Sequence, residues 1–124
     1  MQIQINTDKN IPGHAGLATH ITSVVEHVLD HVRDHITRVE VHLSDENGSK
    51  NGQDDKRCAM EARLGHHQPV AVTHHAASLH QAVEGAAHKL TRLLESTLGR
   101  LQDQRMRAQA VTMSEPAVPG ETDA

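Results

Sequence analysis

Thr37 to Ser44 reads TRVEVHLS, and its alternation decides the fold. Val39, Val41 and Leu43 fall on one face of an extended segment, Arg38, Glu40 and His42 on the other, so one face seeks a core and the other meets water. Upstream, Leu17, Ile21, Val24, Val25, Val28 and Val32 recur at helical spacing and predict a helix over Ala15 to His35. Before it, MQIQIN (Met1 to Asn6) alternates with Ile3 and Ile5 on one side, as a half-buried strand does. Thr7 to Gly13, with Asn10, Pro12 and Gly13, connects the two. Strand, helix and strand in succession predict a right-handed crossover with parallel strands.

Downstream, Asp45 to Asp55 is polar and carries Asn47-Gly48 and Asn51-Gly52 turn pairs, so it reads as a long hairpin loop. Lys56 to Leu64 alternates again, with Cys58, Met60, Ala62 and Leu64 inward and Arg57, Ala59, Glu61 and Arg63 outward. A turn over Gly65 to Pro69 leads to a fourth strand, Val70 to His75. Ser78 then opens a second helix to Arg107, with Gln81 three residues on completing a capping box. Leu79, Val83, Ala86, Leu90, Leu94, Thr97 and Leu101 form its apolar stripe. The expected order is β-α-β-β-β-α: an α+β fold with a four-stranded sheet and both helices on one face. The opposite face would expose Gln2, Gln4, Glu40, His42, Arg57, Glu61, Arg63, Thr73 and His75.

With 124 residues, the chain reads as one domain over 1–107, followed by a disordered acidic tail over 108–124 that has no Lys or Arg. It has no Phe, Trp or Tyr, so its core must be aliphatic and it has no aromatic platform for stacking bases. No apolar run approaches the roughly 20 residues of a membrane span and no signal peptide opens the chain. A lone cysteine forms no internal disulfide, which suits the cytoplasm. Cys58, inside an apolar alternation, reads as a small buried hydrophobe.

Charge is uneven. The whole chain carries −4, yet Ser78 to Arg107 holds five Lys/Arg against three Asp/Glu. At about 100° per residue, Lys89, Arg92, Arg100 and Arg107 lie within an arc of roughly 80° beside the apolar stripe. Such a row fits the sugar-phosphate backbone of a nucleic acid, read by shape and charge; it also fits an ordinary solvated flank whose stems cover the stripe. Each of the twelve histidines adds a charge on protonation, so full titration would bring −4 to +8. His20, His27, His31 and His35 form one row on the first helix, and the i, i+4 pairs within it suit zinc or nickel as well as a pH response. No nucleophile elbow, phosphate-cradling loop or CxxC is present, and no metal site or cofactor is assigned.

Three segments, ITRVEVHLSDENG (Ile36 to Gly48), KRCAMEARL (Lys56 to Leu64) and above all SLHQAVEGAAHKLTRLLESTL (Ser78 to Leu98), resemble the bacterial hibernation-promoting factor family. That family is also called ribosome-associated inhibitor A or sigma-54 modulation protein, and the resemblance, to its short form, runs from Met1 to about Leu101. It implies a βαβββα fold similar to double-stranded-RNA-binding domains, and a non-enzymatic stress or stationary-phase factor. Such factors bind the small ribosomal subunit and its 16S rRNA, occupy the decoding channel and inhibit translation, with no membrane and no small-molecule substrate. Lys89, Leu90 and Arg92 match the family's Lys-Leu-x-Arg arrangement, and Arg100 a further basic position. Where relatives carry more lysines, this chain has Glu95, Ser96, Thr97 and Leu98; where an aromatic follows the start of the second helix, it has His80.

Lys89, Arg92 and Arg100 are therefore the leading RNA-binding candidates, with Arg38, Lys56, Arg57, Arg63 and Arg33 behind them. The alternative reading is a divergent paralogue acting as a His-rich, metal- or pH-responsive protein-interaction module.

Overall fold

The computed structural model describes residues 1–8, 11, 15–46 and 55–114. Asn10, Pro12 and Gly13 of the first connection, the Asn47-Gly48 and Asn51-Gly52 pairs, and the tail past Ser114 lie outside the described residues. The elements are β1 (Gln2–Thr7), α1 (Ala15–Val28), a 3-10 segment (Asp30–His35), β2 (Ile36–Asp45), β3 (Lys56–Leu64), β4 (His67–Ala76) and α2 (Leu79–Ser114). The strands form one sheet in the order β1-β2-β3-β4. β1 and β2 run parallel and the other two pairings are antiparallel, the expected β-α-β-β-β-α order. By compactness the chain divides into two units, Met1–Leu94 and Glu95–Ala124.

The register carries the alternation across the sheet. Val39 pairs with Ala62, Val41 with Met60 and Leu43 with Cys58, and all six are buried. Ile21, Val25 and Leu29 from the first helical stretch and Ala82, Val83, Ala86, Ala87, Leu90 and Leu94 from α2 complete a core without an aromatic ring. Alanines recur on the buried side of α2 and let the helix approach a core of modest side chains closely. The Ser78 hydroxyl accepts the Gln81 N–H at 3.1 Å, so the capping serine acts as its spacing predicts.

Three boundaries differ from the sequence reading. The first helix was expected to reach His35, but α-helix stops at Val28 and the chain tightens into the 3-10 segment. The Thr91 hydroxyl of α2 donates to the Val28 carbonyl at 3.3 Å, while the Val32 N–H turns to the Leu29 carbonyl at 3.0 Å. A 3-10 turn eclipses residues three apart, so Leu29 and Val32 both reach the core and His31, Arg33 and His35 stay exposed.

The turn after β3 is also shorter than Gly65 to Pro69, because β4 already begins at His67. Pro69 is tolerated there: the register slips between Ala62 and Leu64, leaving Gln68 and Pro69 opposite Arg63 in a bulge on an edge strand. A second slip, at Thr37, lies across from Arg63 on the other side, where the Thr37 hydroxyl donates to the Arg63 carbonyl at 3.0 Å. Finally, α2 continues past Arg107 to Ser114.

Cys58 is fully buried on the inner face of β3, and burial pushes its thiol up to about 12. In the native protein, iodoacetamide at pH 8 is expected to leave Cys58 unmodified for as long as the domain stays folded, and to label it fully in denaturant. Mass spectrometry of the two reactions checks this; rapid native labelling would mean that β3 opens locally.

Candidate nucleic-acid interface

Within the first unit, α2 approaches the edge strand β4 closely. Gly85 lies over the His74 ring, and one helical turn later Lys89 reaches around the same edge, its Nζ donating to the Thr73 carbonyl at 3.0 Å. A lysine reaching from a helix to an edge strand also guards that edge against pairing with another chain. Arg92, exposed on the next turn, has no ion pair or hydrogen bond among the described residues. Neither Lys89 nor Arg92 is neutralised by a carboxylate of the described residues, so this face of α2 keeps its positive charge. In the second unit Arg100 is exposed as well, its guanidinium donating to the hydroxyls of Ser96 at 3.1 Å and Thr97 at 3.5 Å. Two small polar residues of the same helix thus orient an arginine.

The other candidates divide sharply by partner. Arg38 is bound to the Glu40 carboxylate, and Arg63 lies 3.7 Å from the same carboxylate and 3.4 Å from Glu61. His42 adds a contact to Glu40 at 3.4 Å. The Arg38 guanidinium holds the Glu40 carboxyl below its usual value, with His42 and Arg63 adding to the effect. A depressed carboxyl keeps its pair through neutral and mildly acidic conditions and releases it only as pH falls through the lowered value.

Lys56 turns to the covered side of the sheet, where its Nζ lies 3.3 Å from Asp45 and 3.0 Å from Asp55, both buried. Arg33 forms an exposed pair with Asp30 at 3.4 Å, which water and salt screen. Arg57, half-buried on the open face, has no acidic partner among the described residues.

The histidine row does not survive the change of helix type. His27 lies on α1, whereas His31 and His35 lie on the 3-10 segment, where a four-residue step no longer returns to the same face. Among the described residues, no group of three or more His, Cys, Asp or Glu is placed to hold a metal ion. A different histidine pair, not singled out by spacing, joins the helices: the His20 and His80 rings stack with centroids 4.3 Å apart. His80 also meets Glu84 at 3.2 Å. An imidazole at the start of α2 thus stacks on α1.

The family described as sigma 54 modulation protein / S30EA ribosomal protein matches residues 4–102, across the sheet, α1 and most of α2. The chain belongs to that family. Among the solved structures similar to it are the following two. One, a ribosomal subunit interface protein from Coxiella burnetii, aligns at a TM-score of 0.65 and 14% identity over 80% of this chain and 99% of that one. The other, the N-terminal domain of Thermus thermophilus Protein Y, aligns at a TM-score of 0.57 and 18% identity over 75% and 99%. At such identities the likeness shows the fold. No curated protein matches the sequence. The S30EA family is one of ribosome-associated factors and not of enzymes. None of its described helices is long and apolar enough to cross a membrane.

Proposed function

We propose that this S30EA-family protein is a stress or stationary-phase ribosome hibernation factor. It docks on the small ribosomal subunit, lays the cationic face of α2 against the 16S rRNA backbone, and inhibits translation by occupying space that tRNA and mRNA need. The cytoplasm is its place of action. The observation that carries the reading is that Lys89 and Arg92 are exposed on one helix with no carboxylate of the described residues neutralising them, in a chain of net charge −4. Arg100 serves the same surface chemistry from the second unit. Backbone recognition suits a protein without Phe, Trp or Tyr, since phosphate needs charge and shape while bases need stacking.

Sedimentation of the purified protein with small ribosomal subunits tests this. Co-migration that is lost at high salt is expected. Lys89→Ala combined with Arg92→Ala should weaken binding about a hundred-fold and flatten the dependence of log K on log salt by about two. The melting profile should stay that of the parent, because both side chains are exposed. Co-migration of the double variant at parental affinity would remove α2 from the interface.

A further inference from the structure

We infer that the open face of the sheet carries a second contact with ribosomal RNA backbone, made by Arg57. The inference rests on the small-subunit reading above and adds to it a strip of phosphate on the side of the sheet opposite the helices. Its starting point is the register. Arg38 stands directly opposite Arg63, and in the next row Glu40 stands directly opposite Glu61. Like charges facing each other across strands repel, yet the two rows together close on themselves. Glu40 takes Arg38 and shares Arg63, and Arg63 also meets Glu61. Two cations and two anions cancel, and a phosphate arriving there would have to displace a carboxylate already held.

Farther along the same face the situation changes. Ser44, Arg57 and His75 form one row across β2, β3 and β4, and Arg57 has no acidic partner among the described residues. Glu46, at that end of β2, is engaged by His75 at 3.2 Å instead. β3 is an interior strand, so the Arg57 stem is supported on both sides and its guanidinium loses little freedom on binding. Ser44 and His75 are the register neighbours of Arg57 on either side, both polar, and the Arg57 fork has the geometry to take a phosphate.

Lys56, one residue earlier, points to the other face and into two carboxylates. Adjacent basic residues of one strand thus have opposite fates. The occupant is RNA and not a protein surface because, among the described residues, the open face has no large apolar side chain to form the dry centre that protein interfaces need.

Binding to purified small subunits across a salt series separates the outcomes. Arg57→Ala is expected to weaken binding about ten-fold and flatten the salt slope by about one. Arg57→Lys, which keeps the charge, should hold the parental slope, and Arg63→Ala should change neither quantity. Parental affinity and slope for Arg57→Ala would overturn the inference. So would weaker binding with an unchanged slope, which would point to a ribosomal protein as the partner of this face. Running the Lys89→Ala, Arg92→Ala variant alongside keeps the two readings apart. If it loses binding while Arg57→Ala does not, only the open-face contact falls; if Arg57→Ala alone loses binding, the α2 contact falls and the open face stands.

Discussion

Replacing Lys56 with Met lowers the unfolding midpoint by about 10 °C and leaves the folded protein's affinity for small ribosomal subunits unchanged. The side chains of Asp45 and Asp55 are only 9% and 3% exposed, and the Lys56 ammonium lies between them. Met preserves most of the stem's packing but removes the charge, so the nearly dry carboxylates of Asp55 and Asp45 both lose the Lys56 ammonium. That loss is far larger than breaking an exposed pair. The position matters too: the Glu46 N–H donates to the Asp55 carbonyl at 2.9 Å, so the clamp holds β2 and β3 together where their connection begins.

Hydrogen bonding to Asp55, and then to Asp45, raises the Lys56 pKa above the ordinary lysine value. A raised lysine contributes its full stability below its unfolded value and loses it as pH rises through the folded one, so the clamp is intact throughout the neutral range. Thermal melts followed by circular dichroism, with sedimentation at a temperature where the variant is folded, check both halves. Weaker binding at an unchanged midpoint would return Lys56 to the phosphate contacts.

The Lys56 case shows where a sequence stops being readable. Alternation in TRVEVHLS and KRCAMEARL gives both strands and their buried sides, because a period of two admits few other solutions. The α2 stripe is equally plain, since Val83, Ala86, Leu90 and Leu94 are buried where 3.6 residues per turn places them. The end of α1 was not legible. Leu29 and Val32 are buried three residues apart, a spacing that α and 3-10 geometry share, and the Thr91 hydroxyl that donates to the Val28 carbonyl at the helix end lies 63 positions away.

Among the candidate cations the signal was partly present. Opposite charges two apart on one face of a strand, Arg38 with Glu40 and Glu61 with Arg63, are poised to pair without any tertiary information. What no local pattern gives is the rotation of Lys56 into Asp45 across a hairpin, or the reach of Lys89 to a carbonyl of β4. Charge was readable; availability of charge was not.

Gly85→Ala is expected to destabilise the domain by about 1–2 kcal/mol, against the usual sign for this change in a helix. At an open helical position alanine gains roughly 1 kcal/mol over glycine through the smaller entropy it loses on folding. Here a methyl group would stand 2.7 Å from Cγ of His74 and nearer still to Cδ2 and Nε2. Because Cγ is the root of the ring, rotating the ring in place leaves the Cγ contact, and either the whole imidazole leaves or α2 lifts from β4. Overpacking of that kind costs about 1–3 kcal/mol and outweighs the helical gain.

The two explanations separate in a double-mutant cycle by urea denaturation. Adding His74→Ala should return the helical benefit, with a coupling energy of about 2 kcal/mol between the positions. A neutral or stabilising Gly85→Ala in the parent would mean that the ring moves aside freely and that the close approach is not under strain. The consequence for the interface follows from spacing. Lys89 is one turn after Gly85 on the helix, and its Nζ reaches Thr73, the neighbour of His74. If α2 is what yields, Gly85→Ala also breaks the Lys89 contact with Thr73 and weakens ribosome binding in the folded protein. If the imidazole yields, stability falls and affinity does not.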